Sequence, residues 1–233
     1  MIPVVGVGAG GHAKVIIDIL RQMGQYETVA LTDPNPDLWG SQLCGVPIIG
    51  GDQLLASLVP RIRHAFLGVG SVRSNALRPR LFHKMRELDF QLVNAIHPKA
   101  VLSPDVKLGT GVAIMAGAIL NPGVIIGNNV IANTGALIDH DCVIGDHTHV
   151  APGVCLSGGV RVGENCHIGL AACVLQGVVV GDRATVGAGA VVIHDVAEDA
   201  TVAGVPARPV RRATAGKDSS QALPDPRDVD HAG

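Results

Sequence analysis

Aromatic side chains are scarce in this sequence of 233 residues, which contains one Trp, one Tyr and three Phe. All of them precede residue 91, so the two parts of the chain must build different kinds of hydrophobic core. Beyond that point the apolar side chains are aliphatic or small, which predicts a narrow and regular interior. The 30 Gly residues disfavour helical bundles and coiled coils, because glycine is costly in a helix interior.

Charge is also low and nearly balanced, with 16% charged residues and a formal net charge of −2. The chain therefore lacks the basic surface expected of a protein that binds nucleic acid. Its hydrophobic fraction of 47% excludes disorder over most of the length, because disordered chains are poor in aliphatic residues and rich in charge. We expect a folded protein with no nucleic-acid partner.

The sequence has no apolar run of the ~18 residues that a transmembrane helix needs. The N-terminal segment MIPVVGVGAGGHAK lacks the basic region and cleavage site of a signal peptide. The five cysteines include no CxxC pair, and an odd number without a secretory signal is typical of reduced thiols. These features predict a cytoplasmic protein with no membrane partner.

Residues 1–91 alternate between strand-like and helix-like segments. Residues 2–7 predict a buried strand, and a glycine turn then leads into an amphipathic helix over residues 12–23. Further strands are predicted at residues 29–32 and 65–69, and a second helix at residues 74–88. Alternating strands and helices are typical of a parallel sheet, so we predict a small α/β domain over residues 1–91.

From Ile96 to Val191 the sequence repeats every six residues without an insertion. The first position is Ile, Leu or Val in 15 of 16 blocks, the exception being Ala132, and the fifth is Ala, Val, Cys or Thr in all 16. This pattern indicates a short strand followed by a tight corner, and three such sides close one triangular coil. We predict a parallel β-helix over residues 92–212. The Pro-, Asp- and Ser-rich residues 213–233 predict a disordered tail.

The segment GVGAGG at residues 6–11 satisfies G-x-G-x-x-G between a predicted strand and a predicted helix, and Asp33 lies further along the chain. In this pattern a helix N-terminus holds a pyrophosphate and an acidic residue contacts a ribose hydroxyl. The domain is thus Rossmann-like but only roughly half a full dinucleotide fold. A nucleotide-sugar carries the same diphosphate and ribose and needs no redox chemistry. In the plainer interpretation, the glycines only close a tight turn.

Asp139, His140 and Asp141 interrupt the Gly, Asn and Pro corners of the repeat and are predicted to point outward. An imidazole beside a carboxylate suits a general base, because the acid fixes the tautomer and stabilises the imidazolium. An ordinary solvated turn is the alternative. His149 and His167 share the sixth repeat position and are predicted to stack on adjacent coils, facing outward. A zinc site needs three convergent ligands, and because no such set recurs by whole coils we predict no metal.

Five short motifs occur in this order: GAGGHAK at 8–14, LVNAIHP at 92–98, NTGA at 133–136, DHDC at 139–142 and GVPA at 204–207. Together they resemble the NeuD/PglD family of sugar acetyltransferases, over about residues 2–212, and within it the GDP-perosamine N-acetyltransferases. The resemblance implies that the β-helix is left-handed and that the protein is a homotrimer. It also implies a nucleotide-sugar on the N-terminal domain and acetyl-CoA as co-substrate between neighbouring subunits.

The resemblance further implies roles for residues of the β-helix. His140 would be the general base and Asp141 its orienting carboxylate, although the family often has the longer Glu there. His149 would contact the thioester region of acetyl-CoA, and the N–H of Gly158 would stabilise the oxyanion. The pantetheine groove would be lined by Leu170 and Ala188.

In the N-terminal domain the resemblance implies a second set of contacts. The diphosphate would be met by Gly10, Gly11 and His12. Asp33 would contact the nucleoside, and Gly70 would lie in the loop beside it. The basic residue that the family has after this glycine corresponds best to Arg78, with Arg73 as the rival register.

The expected activity is acetyl transfer from acetyl-CoA to the amine of a nucleotide-linked amino-dideoxy sugar, for bacterial surface polysaccharide or glycan synthesis. The sugar would be GDP-perosamine or a UDP-4-amino-4,6-dideoxy sugar. Three alternatives stay open: a sialic acid-type O-acetyltransferase, an NAD-binding enzyme with an accessory β-helix, and a non-catalytic trimerisation module. The NAD enzyme needs a longer nucleotide domain, and the module leaves the Asp-His-Asp corner without a purpose.

Overall fold

The computed structural model describes residues 1–70 and 76–210, so Arg73 and the predicted tail lie outside the described residues. The N-terminal domain has three helices: α1 (Gly11–Met23), α2 (Leu55–Leu58) and α3 (Leu77–Glu87). Its strands are β1 (Ile2–Val7), β2 (Tyr26–Thr32), β3 (Gln42–Leu43), β4 (Val46–Gly50), β5 (His64–Leu67) and β6 (Gln91–Leu92). Single 3-10 turns cover Pro36–Leu38 and Asp52–Leu54.

These strands form one sheet in the order β3-β4-β2-β1-β5-β6, parallel except for the β3–β4 hairpin. The strands and helices predicted for this domain are present, with ends shifted by a few residues, whereas the hairpin was not predicted. β6 pairs with β5, and Leu92 is buried in the N-terminal core. The predicted boundary between residues 91 and 92 therefore falls inside a strand of the sheet.

The rest of the described chain is a left-handed β-helix with three faces, each a parallel sheet. The first face holds β7 (Ala95–Ile96), β10 (Ala113–Ile114), β13 (Ile131–Ala132), β16 (His149–Val150), β19 (His167–Ile168), β22 (Thr185–Val186) and β24 (Thr201–Ala203), and the antiparallel β25 (Arg208–Pro209) closes it. The second face holds β8 (Val101–Leu102), β11 (Ile119–Leu120), β14 (Leu137–Ile138), β17 (Cys155–Leu156), β20 (Cys173–Val174) and β23 (Val191–Val192). The third face holds β9 (Lys107–Leu108), β12 (Ile125–Ile126), β15 (Val143–Ile144), β18 (Arg161–Val162) and β21 (Val179–Val180).

The repeat explains this architecture directly. Each strand from β7 to β23 consists of a sixth-position residue followed by a first-position residue. Apart from β21 and β23, which end their sheets, each pairs with the strand one coil later, as His149 does with His167. First-position side chains such as Ile138 and fifth-position side chains such as Cys142 point into the core and are buried. The predicted inward positions of the repeat are thus confirmed.

The N-terminal domain packs against the first face of the β-helix. Side chains of α1 and the sheet, including Ile16 and Val4, share one hydrophobic cluster with Ala113 and Ile131 of the β-helix. Sixth-position residues of these coils are therefore covered, although the repeat alone predicts that they face outward. Within the described ranges, no helix combines the length and the hydrophobicity that crossing a bilayer requires.

Candidate active site

A pocket of about 670 Å³ opens where β1, β2 and β5 end. Five residues predicted to bind the nucleotide-sugar line it together: Gly10, Gly11, His12, Asp33 and Gly70. Ligands of parallel α/β sheets bind at this end of the strands. Helix α1 also begins here, with neither a side-chain cap nor an acidic residue in its first turn. Its N-terminus can therefore accept an anion such as a diphosphate.

Two carboxylates lie in the wall of this pocket. Asp33 follows β2, and its Oδ2 accepts a hydrogen bond from the N–H of Ala9 at 2.8 Å, which ties the glycine turn to β2. Asp52 follows β4, and its Oδ1 accepts a hydrogen bond from the buried hydroxyl of Thr32 at 2.9 Å. Asp52 was not predicted as a site residue, and only the Gly50-Gly51 pair before it signals a loop that a ligand can approach.

Arg78, the predicted cationic ligand, does not line the pocket. Its side chain is 3% exposed and donates to the carbonyl oxygens of Leu67 at 3.1 Å, Val69 at 2.7 Å and Asn129 at 3.4 Å. Burial lowers its pKa to about 9. Arg80 lines the pocket instead. Two residues along a helix turn the side chain by about 200°, so these arginines point in opposite directions.

His12 is held in its neutral form. Its Nε2 is buried and has no hydrogen-bond partner among the described residues. Burial, followed by the nearby Arg78 and His149, lowers its pKa to about 3. Burial therefore disfavours a positive charge on His12 while the pocket holds no anion. Among the described residues that line the pocket, Arg80 is the permanently cationic side chain.

His140 and Asp141 form a hydrogen-bonded pair in the turns that join the second face to the third, which we call the His140 edge. The Nδ1 of His140 lies 2.9 Å from Oδ2 of Asp141, whose backbone adopts a left-handed conformation with φ of 61°. Asp139 accepts hydrogen bonds from the N–H of His140 at 2.8 Å and from Nδ2 of Asn121 at 2.7 Å. The bond to Asp141, and then the charge of Asp139, raise the pKa of His140.

This arrangement fits a general base. Because the carboxylate of Asp141 occupies Nδ1, it favours the tautomer with the proton on Nδ1 and leaves Nε2 free to accept one. The side chain of His140 is 53% exposed, so Nε2 can meet a ligand. The predicted outward orientation of the pair is confirmed.

Gly158 lies directly below the ring of His140, one coil further along the same edge. A Cβ atom added to Gly158 would lie 2.5 Å from Nε2 of His140, so the absence of a side chain allows the imidazole to rest on the backbone. The N–H of Gly158 donates to no acceptor within the described ranges. It remains a candidate oxyanion donor beside the base.

His149 is not displayed as the repeat predicts, because the N-terminal domain covers the first face. It is only 7% exposed, its Nε2 lies 3.0 Å from Nδ2 of Asn133, and its ring centroid is 5.1 Å from that of His167. The predicted stacking of these two histidines is confirmed. Leu170 and Ala188 are exposed on adjacent coils of another edge, where the first face turns into the second.

The predicted site residues thus form separate groups within one chain. His140, Asp141 and Gly158 share one edge, while Leu170 and Ala188 share a second edge. The pocket at the end of the N-terminal sheet lies beside the first face, where His12 is close to His149. Within the part of the chain that the structure describes, no three His, Cys, Asp or Glu side chains are grouped so that they could hold a metal ion.

Comparisons with known proteins agree with both domains. Residues 4–85 match the family described as the PglD N-terminal domain, and residues 159–193 match the hexapeptide repeat of succinyl-transferase. PerB from Caulobacter crescentus, solved in complex with CoA and GDP-perosamine, is 44% identical, with a TM-score of 0.83 over 90% of this chain and 97% of that one. Two variants of that enzyme, with one histidine replaced by Asn or Ala, are also solved with CoA and GDP-perosamine.

Two further solved structures have the same architecture. The acetyltransferase domain of PglB from Neisseria gonorrhoeae, in complex with acetyl coenzyme A, is 38% identical, with a TM-score of 0.83 over 89% of this chain and 98% of that one. WeeI from Acinetobacter baumannii is 25% identical, with a TM-score of 0.75 over 90% of this chain and 100% of that one. The similarity therefore spans both domains rather than the β-helix alone.

Proposed function

The chain belongs to the NeuD/PglD family of hexapeptide-repeat sugar acetyltransferases, and on that premise we propose that it N-acetylates GDP-perosamine or a closely similar nucleotide-linked 4-amino-4,6-dideoxy sugar. Acetyl-CoA is the acetyl donor. The similarity to PerB, at 44% identity over nearly its whole length, carries the proposal. The His140–Asp141 pair supplies the chemistry that this reaction needs. The product would serve the synthesis of a bacterial surface polysaccharide or glycan.

The proposed reaction is a direct acyl transfer. The sugar amine attacks the thioester carbon, and Nε2 of His140 accepts the proton that the nitrogen loses as the C–N bond forms. The N–H of Gly158 stabilises the oxyanion of the tetrahedral intermediate. The C–S bond then breaks, and the thiolate of CoA takes up a proton. A positioned general base typically contributes ~10²–10⁴-fold, and one oxyanion donor ~10²–10³-fold.

We propose a homotrimer whose active sites lie between subunits. Within one chain the proposed general base lies on the His140 edge. Leu170, Ala188 and the nucleotide pocket lie on other sides of the β-helix. A neighbouring subunit would bring its own first face and pocket to the His140 edge. In this arrangement, the first face of the neighbouring subunit carries its His149 towards the acetyl group. A cytoplasmic location is part of the proposal, and the five free cysteines support it.

Thiol release from acetyl-CoA, measured against GDP-, UDP- and dTDP-linked 4-amino-4,6-dideoxy sugars, tests the function. We expect release with GDP-perosamine. His140→Asn should lower kcat by ~10²–10⁴-fold, the range for a general base, without weakening nucleotide-sugar binding. The matched control is His194→Asn, because His194 is exposed on the same edge three coils later. Binding of acetyl-CoA without release from any of these sugars would contradict the proposal and favour a hydroxyl acceptor.

A further inference from the structure

The two pocket carboxylates are not equally available to a ligand. Both oxygens of Asp33 already accept backbone hydrogen bonds, Oδ2 from the N–H of Ala9 at 2.8 Å and Oδ1 from the N–H of Asn35 at 3.0 Å. This carboxylate therefore holds the glycine turn against the loop after β2. These bonds fix the direction of the Asp33 carboxylate at the end of β2, where an acidic residue of this fold contacts a ribose hydroxyl.

Asp52 has more acceptor capacity left for a ligand than Asp33. One of its oxygens, Oδ1, accepts the hydroxyl of Thr32, and Oδ2 accepts no hydrogen bond from a described residue. Thr32 is fully buried on β2, so its hydroxyl fixes the carboxylate at the end of the strands. Each carboxylate oxygen has two acceptor sites, so both oxygens of Asp52 can still bind donors of a ligand.

The strand order sets the direction in which a nucleotide lies. The glycine turn follows β1, Asp33 follows β2 and Asp52 follows β4, and these three strands are neighbours in the sheet. A diphosphate on the N-terminus of α1 places the ribose beside β2. The base then extends towards β4, where Asp52 lines the same pocket.

We propose that Asp52 determines the nucleotide specificity of this site by binding the N1–H and N2–H groups of guanine. A carboxylate can accept two such parallel donors at once. Uracil and thymine offer a single N–H between two carbonyl oxygens, and these oxygens are repelled by a carboxylate. Adenine has an acceptor instead of a donor at N1, so a carboxylate repels it there as well. The inference rests on the proposed function, because it names the base of the nucleotide-sugar that the pocket takes.

Titration calorimetry with GDP, IDP and UDP on the full chain tests this inference. IDP lacks the N2 amino group of guanine and otherwise matches GDP. A good bidentate contact to a base is worth about tenfold or more in discrimination, so we expect the wild type to bind GDP at least about tenfold more tightly than IDP or UDP. Asp52→Asn should weaken GDP binding by a similar factor and leave UDP binding unchanged.

Asn keeps the oxygen that accepts the hydroxyl of Thr32, so the fold of this variant should be preserved. Asp37→Asn is the matched control, because Asp37 is exposed in the other 3-10 turn of this domain, Pro36–Leu38, and does not line the pocket. Equal losses for GDP and UDP would overturn the inference and indicate contact with the ribose, and so would unchanged GDP binding. These measurements need no acetyl transfer, so a failure here leaves the thiol-release result intact. Absence of binding by all three nucleotides would overturn the proposed substrate class as well.

Discussion

At the scale of single residues, the proposed chemistry depends on the protonation state of His140. Its pKa is raised, first by the hydrogen bond to Asp141 and then by the charge of Asp139. A general base must be neutral to accept a proton. Activity should therefore be lost on acidification through a pKa that lies above the ordinary value for histidine.

Replacing Asp141 by Asn tests this coupling. The change removes the largest cause of the raised pKa, so the acidic limb of the kcat–pH profile should move to lower pH. The plateau should also fall, by up to about 10²-fold, because Nδ1–H loses its anionic acceptor and the favoured tautomer is lost. The measurement is kcat across pH with saturating substrates.

Asp195→Asn is the control for this experiment. Asp195 occupies the equivalent place on the same edge three coils later, but its carboxylate accepts the N–H of Val179 at 2.8 Å. The control should leave the acidic limb where it is. If the acidic limb of the kcat–pH profile stays at the wild-type pH in Asp141→Asn, another group sets the pH dependence.

At the scale of structural elements, the corners of the β-helix decide which side chains can meet. Coils stack with each corner directly above the corner of the previous coil, so a side chain on one corner rests on the residue of the next. His140 rests on Gly158 in this way. Because Gly158 has no side chain, its backbone supports the imidazole of His140 and so helps to fix the position of the ring.

Gly158→Ala should therefore lower kcat with little effect on stability. The new Cβ would lie 2.5 Å from Nε2, and the exposed ring can move away more easily than the backbone can shift. We expect a fall in kcat of about 10²-fold, comparable with the loss of a positioned base, and an unchanged affinity for the nucleotide-sugar. Steady-state kinetics measure kcat and the apparent affinity for the nucleotide-sugar, and a melting curve measures the stability.

A double variant separates the causes. If Gly158→Ala acts by displacing the ring, it should add no further loss in the His140→Asn background, since residues that act as a unit are not additive. Additive losses would instead indicate that the alanine disturbs the oxyanion donor or the groove.

The sequence predicts these elements unevenly, for physical reasons. The six-residue period determines which side chains enter the core, so the β-helix and the display of His140 follow from it. The exposure of sixth-position residues depends on what packs against each face, and the repeat does not predict which face the N-terminal domain covers. His149 is buried for this reason. Likewise, the sequence did not predict Arg80 as a pocket residue, because which arginine of α3 faces the pocket depends on how the helix packs against β5 and β6.

At the scale of the whole molecule, the proposed nucleotide pocket depends on how the two domains pack against each other. Arg78 donates to the carbonyl oxygens of Leu67 and Val69, at the end of β5, and to that of Asn129 in the β-helix. It therefore joins the pocket loop to the β-helix. His147 of the β-helix also contacts Phe82 of α3, with ring centroids 5.2 Å apart. We call these contacts of Arg78 and Phe82 with the β-helix the seam between the domains.

Arg78→Met should loosen this seam while Arg80→Met should not. Removing the Arg78 guanidinium leaves three carbonyl oxygens without this donor. Hydrogen bonds to charged groups contribute ~1.5–3 kcal/mol each, so the two shorter bonds alone predict a loss of at least about 3 kcal/mol in stability. The affinity for the nucleotide-sugar should fall about tenfold, because the loop over residues 68–70 loses its anchor. Acetyl-CoA binding should be retained, since the groove proposed for it lies on other edges of the β-helix.

Arg80→Met should weaken nucleotide-sugar binding by a similar factor without lowering the melting temperature, because Arg80 lines the pocket and has no part in the seam. Calorimetry for both ligands and thermal unfolding of both variants distinguish the two roles. A melting temperature unchanged in Arg78→Met would show that the apolar contacts of α1 with the first face hold the domains together without the arginine. The pocket loop would then owe its position to the N-terminal domain alone.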